Sequence, residues 1–389
     1  MRKPIVLISL GHYLPGFKSG GPLRSIINLT RQLEPWFRFR IITADRDLGD
    51  DRPYAGIVAD RWTEREGMEI RYISPRARTV GGIAAVLRNT PHDLLYLNSA
   101  FSPSATLLPL LTHSFGQAPR RPVVLAPRGE FSPGAMTIKT RKKQAYLHLG
   151  RKLGLFNGLL WQASTEREAT DIARIVEPPP EGILVARDLG ALLPAAPPPI
   201  PDRQPSTPLR LLFLARISPM KNLDFALDVL ARVKTPVELS IHGPVEDTAY
   251  WDLCQRKLAA LPPNVRAQWL GEAAPQDVPG LMARHDLFFL PSRGENYGHV
   301  IAEALAAATP VLISDTTPWR GLAAAGAGHD LPLHRPEDFI RVIESMAGWS
   351  PAQHQAARDK AWTYAHRALD SSADIAANRA LFERALASK

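Results

Sequence analysis

The chain has little cysteine, no long apolar run and, in its first half, few acids. One cysteine, Cys254, stands among 389 residues, which excludes an internal disulfide and fits a reducing cytoplasm. No uninterrupted apolar stretch reaches the roughly 18 residues that a membrane-spanning helix requires. At the N-terminus, MRKPIVLISLG pairs a basic start with the apolar run IVLISL. That run is short for a signal peptide and gives way to Gly11 and His12, so it is expected to be a buried first strand. Solenoid repeats and coiled-coil heptads are absent. Residues 1–200 hold 27 Lys+Arg against 17 Asp+Glu, whereas residues 201–389 hold 20 against 21, so the net charge of +9 sits in the first half. Such asymmetry suits an anionic partner (a membrane surface, a pyrophosphate-linked lipid or nucleic acid) or a basic surface kept for solubility. No nucleic-acid reader motif accompanies it, and nucleic acid is not expected as a partner.

What is present is a regular alternation. Short apolar runs at 5–10, 39–43, 94–98 and 123–126, then at 211–214, 237–241, 287–290 and 311–314, are expected to be buried strands. Helical patterns such as 23–33 and 223–233 lie between several of them. Continuous apolar strands separated by helices imply parallel sheets covered on both faces. At 389 residues the chain exceeds one typical domain. Residues 193–208, LPAAPPPIPDRQPSTP, form a stiff proline-rich linker. The expected fold is therefore α/β, with two doubly wound, Rossmann-like domains at 1–200 and 201–370. Two C-terminal helices are expected at 351–368 and 371–387. The segment from about 371 to 389 is a candidate to pack back on the first domain.

Ligands of open parallel sheets collect at loops after the carboxyl ends of strands, and four such loops carry chemistry. After the first strand, Gly20-Gly21-Pro22 opens a helix; adjacent glycines allow close backbone approach, although the spacing is not that of a dinucleotide fingerprint. Early in the second half, Arg216 at a strand end and Lys221 five residues on precede a helix start and could hold a diphosphate, or be plain surface cations. His242-Gly243-Pro244 ends a strand and alone is only a turn. The most informative stretch is 291–310, PSRGENYGHVIAEALAAATP, where Glu295 in a turn and Glu303 in the following helix are separated by seven residues. A polar turn at a helix N-terminus is an anion site, and carboxylates beside it suit the paired hydroxyls of a sugar or ribose. Alternatively, the two acids simply compensate a surface and a helix dipole.

In this order, GGPLRS, ARISPMKNLDFAL, IHGPVED and GENYGHVIAEALAAATPVLIS resemble the retaining glycosyltransferases of family 4, which have the two-domain GT-B fold. LAPRGEFSPGAM and WQASTERE resemble its bacterial polysaccharide-assembly members. The resemblance implies two domains facing a cleft, with the nucleotide-sugar donor on the C-terminal one. It implies that Arg216 and Lys221 grip the UDP- or GDP-linked donor diphosphate, and that Glu295 contacts sugar hydroxyls. The backbone of Asn296, Tyr297, Gly298 and His299 would cap phosphate and sugar, and Glu303 would bind the ribose. Gly20, Gly21 and Gly243 would approach the donor. The implied activity is hexose transfer with retention to a saccharide or lipid-linked saccharide in surface polysaccharide synthesis. The alternatives are a GT-B hydrolase or phosphorylase, or a non-catalytic nucleotide-sugar-binding regulator.

Where many relatives place a histidine near the reacting centre, this chain has Arg128, Gly129 and Glu130, so Arg128 and Glu130 are acceptor-side candidates. His12 and His113 are strand-end candidates but, as lone histidines, are more often structural. Asp45-Arg46-Asp47 imitates a metal-binding D-x-D motif of another fold; here it reads as a loop of acids, and neither metal nor cofactor is expected. The stretch TIKTRKKQAYLHLGRKLGLFNGLLWQA combines Lys139, Arg141, Lys142, Lys143, Arg151 and Lys152 with Leu147, Leu153, Phe156, Leu159 and Trp161. It can lie on an anionic membrane or present a basic solvent side to water. The expected location is cytoplasmic, with peripheral contact at the inner membrane.

Overall fold

The structure is a computed structural model that describes residues 2–136, 140–199 and 208–388. Lys139 and residues 200–207 of the proline-rich linker lie outside the described residues. The chain divides into two compact units: Met1–Leu189 together with Ser371–Lys389, and Gly190–Asp370.

The first unit is built on an eight-stranded sheet: β1 (Ile5–Ser9), β2 (Arg38–Ala44), β3 (Trp62–Arg65), β4 (Met68–Ile73), β5 (Leu94–Asn98), β6 (Val123–Ala126), β7 (Leu160–Ala163) and β8 (Ile183–Val185). Their order is β3-β4-β2-β1-β5-β6-β7-β8, parallel except for the β3–β4 pair. Successive side chains of a strand face opposite ways. Val6 and Ile8 accordingly enter one core, with Leu94 and Tyr96, while Leu7 enters the other, with Leu95 and Leu97. This two-sided burial makes the central strands apolar without a break.

The helix Ser372–Ala387 belongs to the first unit. Its buried residues Asn378, Leu381, Phe382 and Ala385 recur at helical spacing. Phe382 meets Tyr96 edge-on at 5.1 Å and Phe37 at 5.4 Å.

The second unit holds β9 (Leu209–Leu214), β10 (Val237–His242), β11 (Val265–Trp269), β12 (Leu287–Leu290), β13 (Val311–Ser314) and β14 (Gly328–Leu331). All are parallel, in the order β11-β10-β9-β12-β13-β14, the strand order of a doubly wound nucleotide-binding sheet. The helix Pro351–Ala368 begins with a Ser350–Gln353 capping box.

Six strands have no counterpart in the sequence reading. Four of them, β3, β8, β11 and β14, are sheet edges. An edge strand pairs on one side and tolerates polar side chains; VRAQW of β11 is buried only at Val265. Strand β4 alternates polar and apolar residues, and β7 carries the buried Gln162.

Candidate active site

In the second unit the strand order reverses between β9 and β12, which are neighbours in space but not in sequence. Such a reversal opens a crevice beyond the carboxyl ends of the strands. The loops that leave these two strands, 215–222 and 291–298, are joined by main-chain and side-chain bonds. The Arg293 amide donates to the Met220 carbonyl at 2.8 Å. Asn222 donates to the Pro291 carbonyl at 2.9 Å and accepts from Arg293 Nε at 3.0 Å. Asn222 itself is left-handed, φ 61°, a conformation asparagine tolerates, and it starts the helix Leu223–Leu230.

This frame brings Lys221 and Glu295 together. Lys221 Nζ donates to Glu295 Oε1 at 2.7 Å, with the side chains 16% and 10% exposed. Arg216 lies in the same loop but pairs elsewhere, donating to Glu246 Oε1 at 2.6 Å with 34% of its side chain in contact with solvent. Glu246, inside the IHGPVED segment, was not singled out in the sequence; nothing about its spacing marks it as the partner of Arg216.

Gly243 has a structural reason of its own. At φ 140°, a Cβ there would lie 1.9 Å from the Ala215 carbonyl oxygen. Burial lowers the pKa of the preceding His242, which favours its neutral form.

The turn before the helix His299–Ala306 is shaped by buried rings. Tyr297 packs against His299 with the rings tilted and 4.5 Å apart and meets Trp319 at 5.8 Å, while the Trp319 indole donates to the Tyr297 carbonyl at 2.6 Å. Both Tyr297 and His299 are buried. Their side chains therefore hold the turn, and Gly298, φ 80°, supplies the left-handed residue at the cap. Asn296 is half-buried beside them. Glu303 follows His299 by four residues, hence on the same helix face, and is half-buried.

In the first unit the reversal falls between β1 and β5. Gly20, φ 64°, precedes the helix Gly21–Leu33, and the space where its Cβ would stand is open, so its conformation rather than crowding calls for glycine. The preceding loop is tied down by Asp47, which accepts from the amides of Phe17 and Lys18 at 2.8 and 3.2 Å. Asp45 is held between Arg46 and Arg78 at 2.9 and 3.1 Å. The Asp45-Arg46-Asp47 run is thus a structural clamp. His12 and His113 each lie within hydrogen-bonding distance of a main-chain carbonyl, at 3.0 and 2.9 Å.

Arg128 and Glu130, the acceptor-side candidates, are engaged within the unit. Arg128 is 4% exposed, forms an ion pair with Asp188, and donates to Tyr96 Oη at 2.7 Å and to Asn98 Oδ1 at 2.9 Å. Asp188 also accepts from Ser25 at 2.9 Å and Ser164 at 3.1 Å. Glu130 accepts from Ser99 Oγ at 2.7 Å and from the amides of Ala100 and Phe101 at 2.6 and 3.2 Å, and burial raises its pKa. The Arg128 guanidinium is thus enclosed by partners of its own unit. Among the described residues, no group of three His, Cys, Asp or Glu side chains could hold a metal ion, and no helix is long and apolar enough to cross a membrane.

Residues 201–355, within the second unit, match the family described as glycosyl transferases group 1. A D-inositol 3-phosphate glycosyltransferase of Jonesia denitrificans is 31% identical over 210 residues, 48% of this chain and 48% of the relative. Its counterpart in Rhodococcus erythropolis is 29% identical over 145 residues, 34% and 32% of the two chains. The chain thus spans about half or less of the curated relatives it matches. Whole-chain likeness is found among solved structures. Sucrose-phosphate synthase of Thermosynechococcus elongatus has a TM-score of 0.72 at 16% identity, covering 100% of both chains. Anabaena HepE, solved with UDP and glucose, has a TM-score of 0.67 at 17% identity, covering 98% and 99%. WaaG, a glycosyltransferase involved in lipopolysaccharide biosynthesis, has a TM-score of 0.64 at 18% identity, covering 96% and 98%. These likenesses carry the fold, two parallel-sheet Rossmann-like domains in one chain as in GT-B glycosyltransferases.

Proposed function

We propose that the protein is a retaining glycosyltransferase of the family 4 type. It moves a hexose-type sugar from a UDP- or GDP-linked donor to a saccharide or lipid-linked saccharide acceptor in surface polysaccharide assembly. The observation that carries this reading is the Lys221–Glu295 pair at 2.7 Å, held by two interlocked loops where the strand order reverses. Lys221, with Arg216, neutralises the diphosphate as it leaves, and Glu295 accepts from sugar hydroxyls. Amides of residues 296–299 cap phosphate at the helix N-terminus, and Glu303 accepts from the ribose. The fixed cations take the place of a metal, so EDTA leaves transfer unchanged. The work is done on the cytoplasmic side, with peripheral contact at the inner membrane.

A thermal-shift screen of UDP- and GDP-sugars, followed by transfer to lipid-pyrophosphate saccharides and NMR of the new anomeric centre, tests this reading. A raised melting temperature with one donor family and a retained configuration are expected. Donor consumption without an acceptor would assign the protein to hydrolysis instead.

A further inference from the structure

The proposed chemistry gives Arg216 to the donor diphosphate, yet in the structure an acid already holds that guanidinium. Its Nη1 donates to Glu246 Oε1 at 2.6 Å. The main chain brings the two side chains together. Beyond the ends of β9 and β10 the two chains stay paired: the Ala215 amide donates to the His242 carbonyl at 3.0 Å, and the Ile217 amide to the Pro244 carbonyl at 2.8 Å. Ile217 and Val245 form a parallel bridge, and the amides of Glu246 and Asp247 both donate to the Ile217 carbonyl, at 3.2 and 3.4 Å. Asp247 then caps the helix Thr248–Ala259 by accepting from the Tyr250 amide at 2.9 Å. The backbone of Glu246 is therefore fixed beside Arg216, while the two side chains keep 42% and 34% of their surface in solvent. The other cation of the crevice differs. Lys221 and Glu295 are almost enclosed, and both have a role in the proposed chemistry, whereas Glu246 has none.

We propose that Glu246 is a resident counter-ion, which the donor diphosphate displaces from Arg216, and that it limits how tightly a nucleoside diphosphate binds. This role rests on the glycosyltransferase reading for its ligand. A half-solvated pair opens at little cost, because water takes up both ends. One N–H of the guanidinium meets Glu246, whereas the oxygens of a diphosphate can take two in parallel and bring more charge. The exchange therefore runs toward the diphosphate. Once it has run, the Glu246 carboxylate is a like charge beside the phosphates, because its backbone is pinned there, and it repels them. The opposite assignment, an acid that orients Arg216 for its ligand, predicts the opposite sign: removing the charge would weaken binding.

Calorimetric titration of UDP and of GDP into the full chain, Glu246→Gln, Arg216→Ala and the double variant tests it. Glu246→Gln keeps the shape of the side chain and removes its charge. The nucleoside diphosphate that binds should then bind about fivefold more tightly, the worth of a half-exposed ion pair. Arg216→Ala should weaken binding. In that background Glu246→Gln should change the Kd by less than about twofold, because no arginine is left to release. Equal affinity of the wild-type and Glu246→Gln proteins would overturn the proposal. So would weaker binding by Glu246→Gln, which would make the acid an orienting group, or a gain of the same size without Arg216, which would leave displacement no part in it. Each of these outcomes leaves the donor reading standing, since the wild-type Kd is measured in all of them. Binding of neither UDP nor GDP to any of the four proteins would sink both.

Discussion

Each unit places an arginine just past the carboxyl end of a central strand, and the two are used in opposite ways. Arg128 of the first unit is 4% exposed and is enclosed by Asp188, Tyr96 and Asn98. Arg216 of the second keeps 34% of its side chain in solvent and faces one carboxylate, itself 42% exposed. Taking charges out of water is costly, so a buried pair holds only while both partners stay. A half-solvated pair exchanges partners at little cost. The first crevice is therefore locked by its own charges, and the second leaves its arginine pair partly in solvent.

The largest expected effect tests the lock. Arg128→Ala strands the Asp188 carboxylate in the interior and should lower unfolding free energy by about 3–5 kcal/mol in urea titration. Arg216→Ala should change it by less than about 1 kcal/mol. If Arg128→Ala left the urea midpoint unmoved, the contrast between the two units would collapse. Next comes the open side: Lys221→Ala should reduce transfer by about 10²–10³ with an intact circular-dichroism melt. A near-normal rate would remove Lys221 from the chemistry. Glu303→Ala should weaken donor binding about tenfold in calorimetry and leave kcat nearly alone, as expected for a lost hydrogen bond to a charged group. An unchanged Kd would count against a ribose contact.

The smallest effect is a pH slope in the locked unit. Burial raises the Glu130 carboxyl above its ordinary value of 4.5, so the folded state keeps a proton that the unfolded chain has already released. Stability should then fall as pH climbs from that ordinary value towards the raised one. Glu130→Gln preserves a group able to accept from Ala100 and Phe101 and should flatten that slope. Parallel Tm–pH profiles for the two proteins would show that Glu130 does not titrate in this way.

How far the sequence could be read follows from the same physics. Strands buried on both faces, such as Leu94–Asn98 and Leu287–Leu290, announce themselves as unbroken apolar runs. Edge strands such as Trp62–Arg65 do not, because half their surface meets water. In the second unit, Lys221 and Glu295 stand out because each sits in a short loop between a strand and a helix, and the fold brings those loops together. Arg128 looked similar in sequence. Its fate was decided by Asp188, by Ser25 bonded to that acid across 163 residues, and by Tyr96. Polar partners that far apart leave no periodicity or spacing to detect. Gly243 is instructive in another way: it drew attention as a ligand-side glycine, yet the Ala215 carbonyl alone forbids any other residue there.

The return of the helix Ser372–Ala387 to the first unit also has a consequence in time. A ribosome adds roughly 5–20 residues each second, so the stretch of about 180 residues from Gly190 to Asp370 takes on the order of 10–40 s to make. Throughout that interval the face of the first sheet that carries Phe37, Phe39 and Tyr96 lacks Phe382, the ring that meets all three. The nascent first half must wait with an aromatic surface uncovered, and its folding can finish only after the second half has been made.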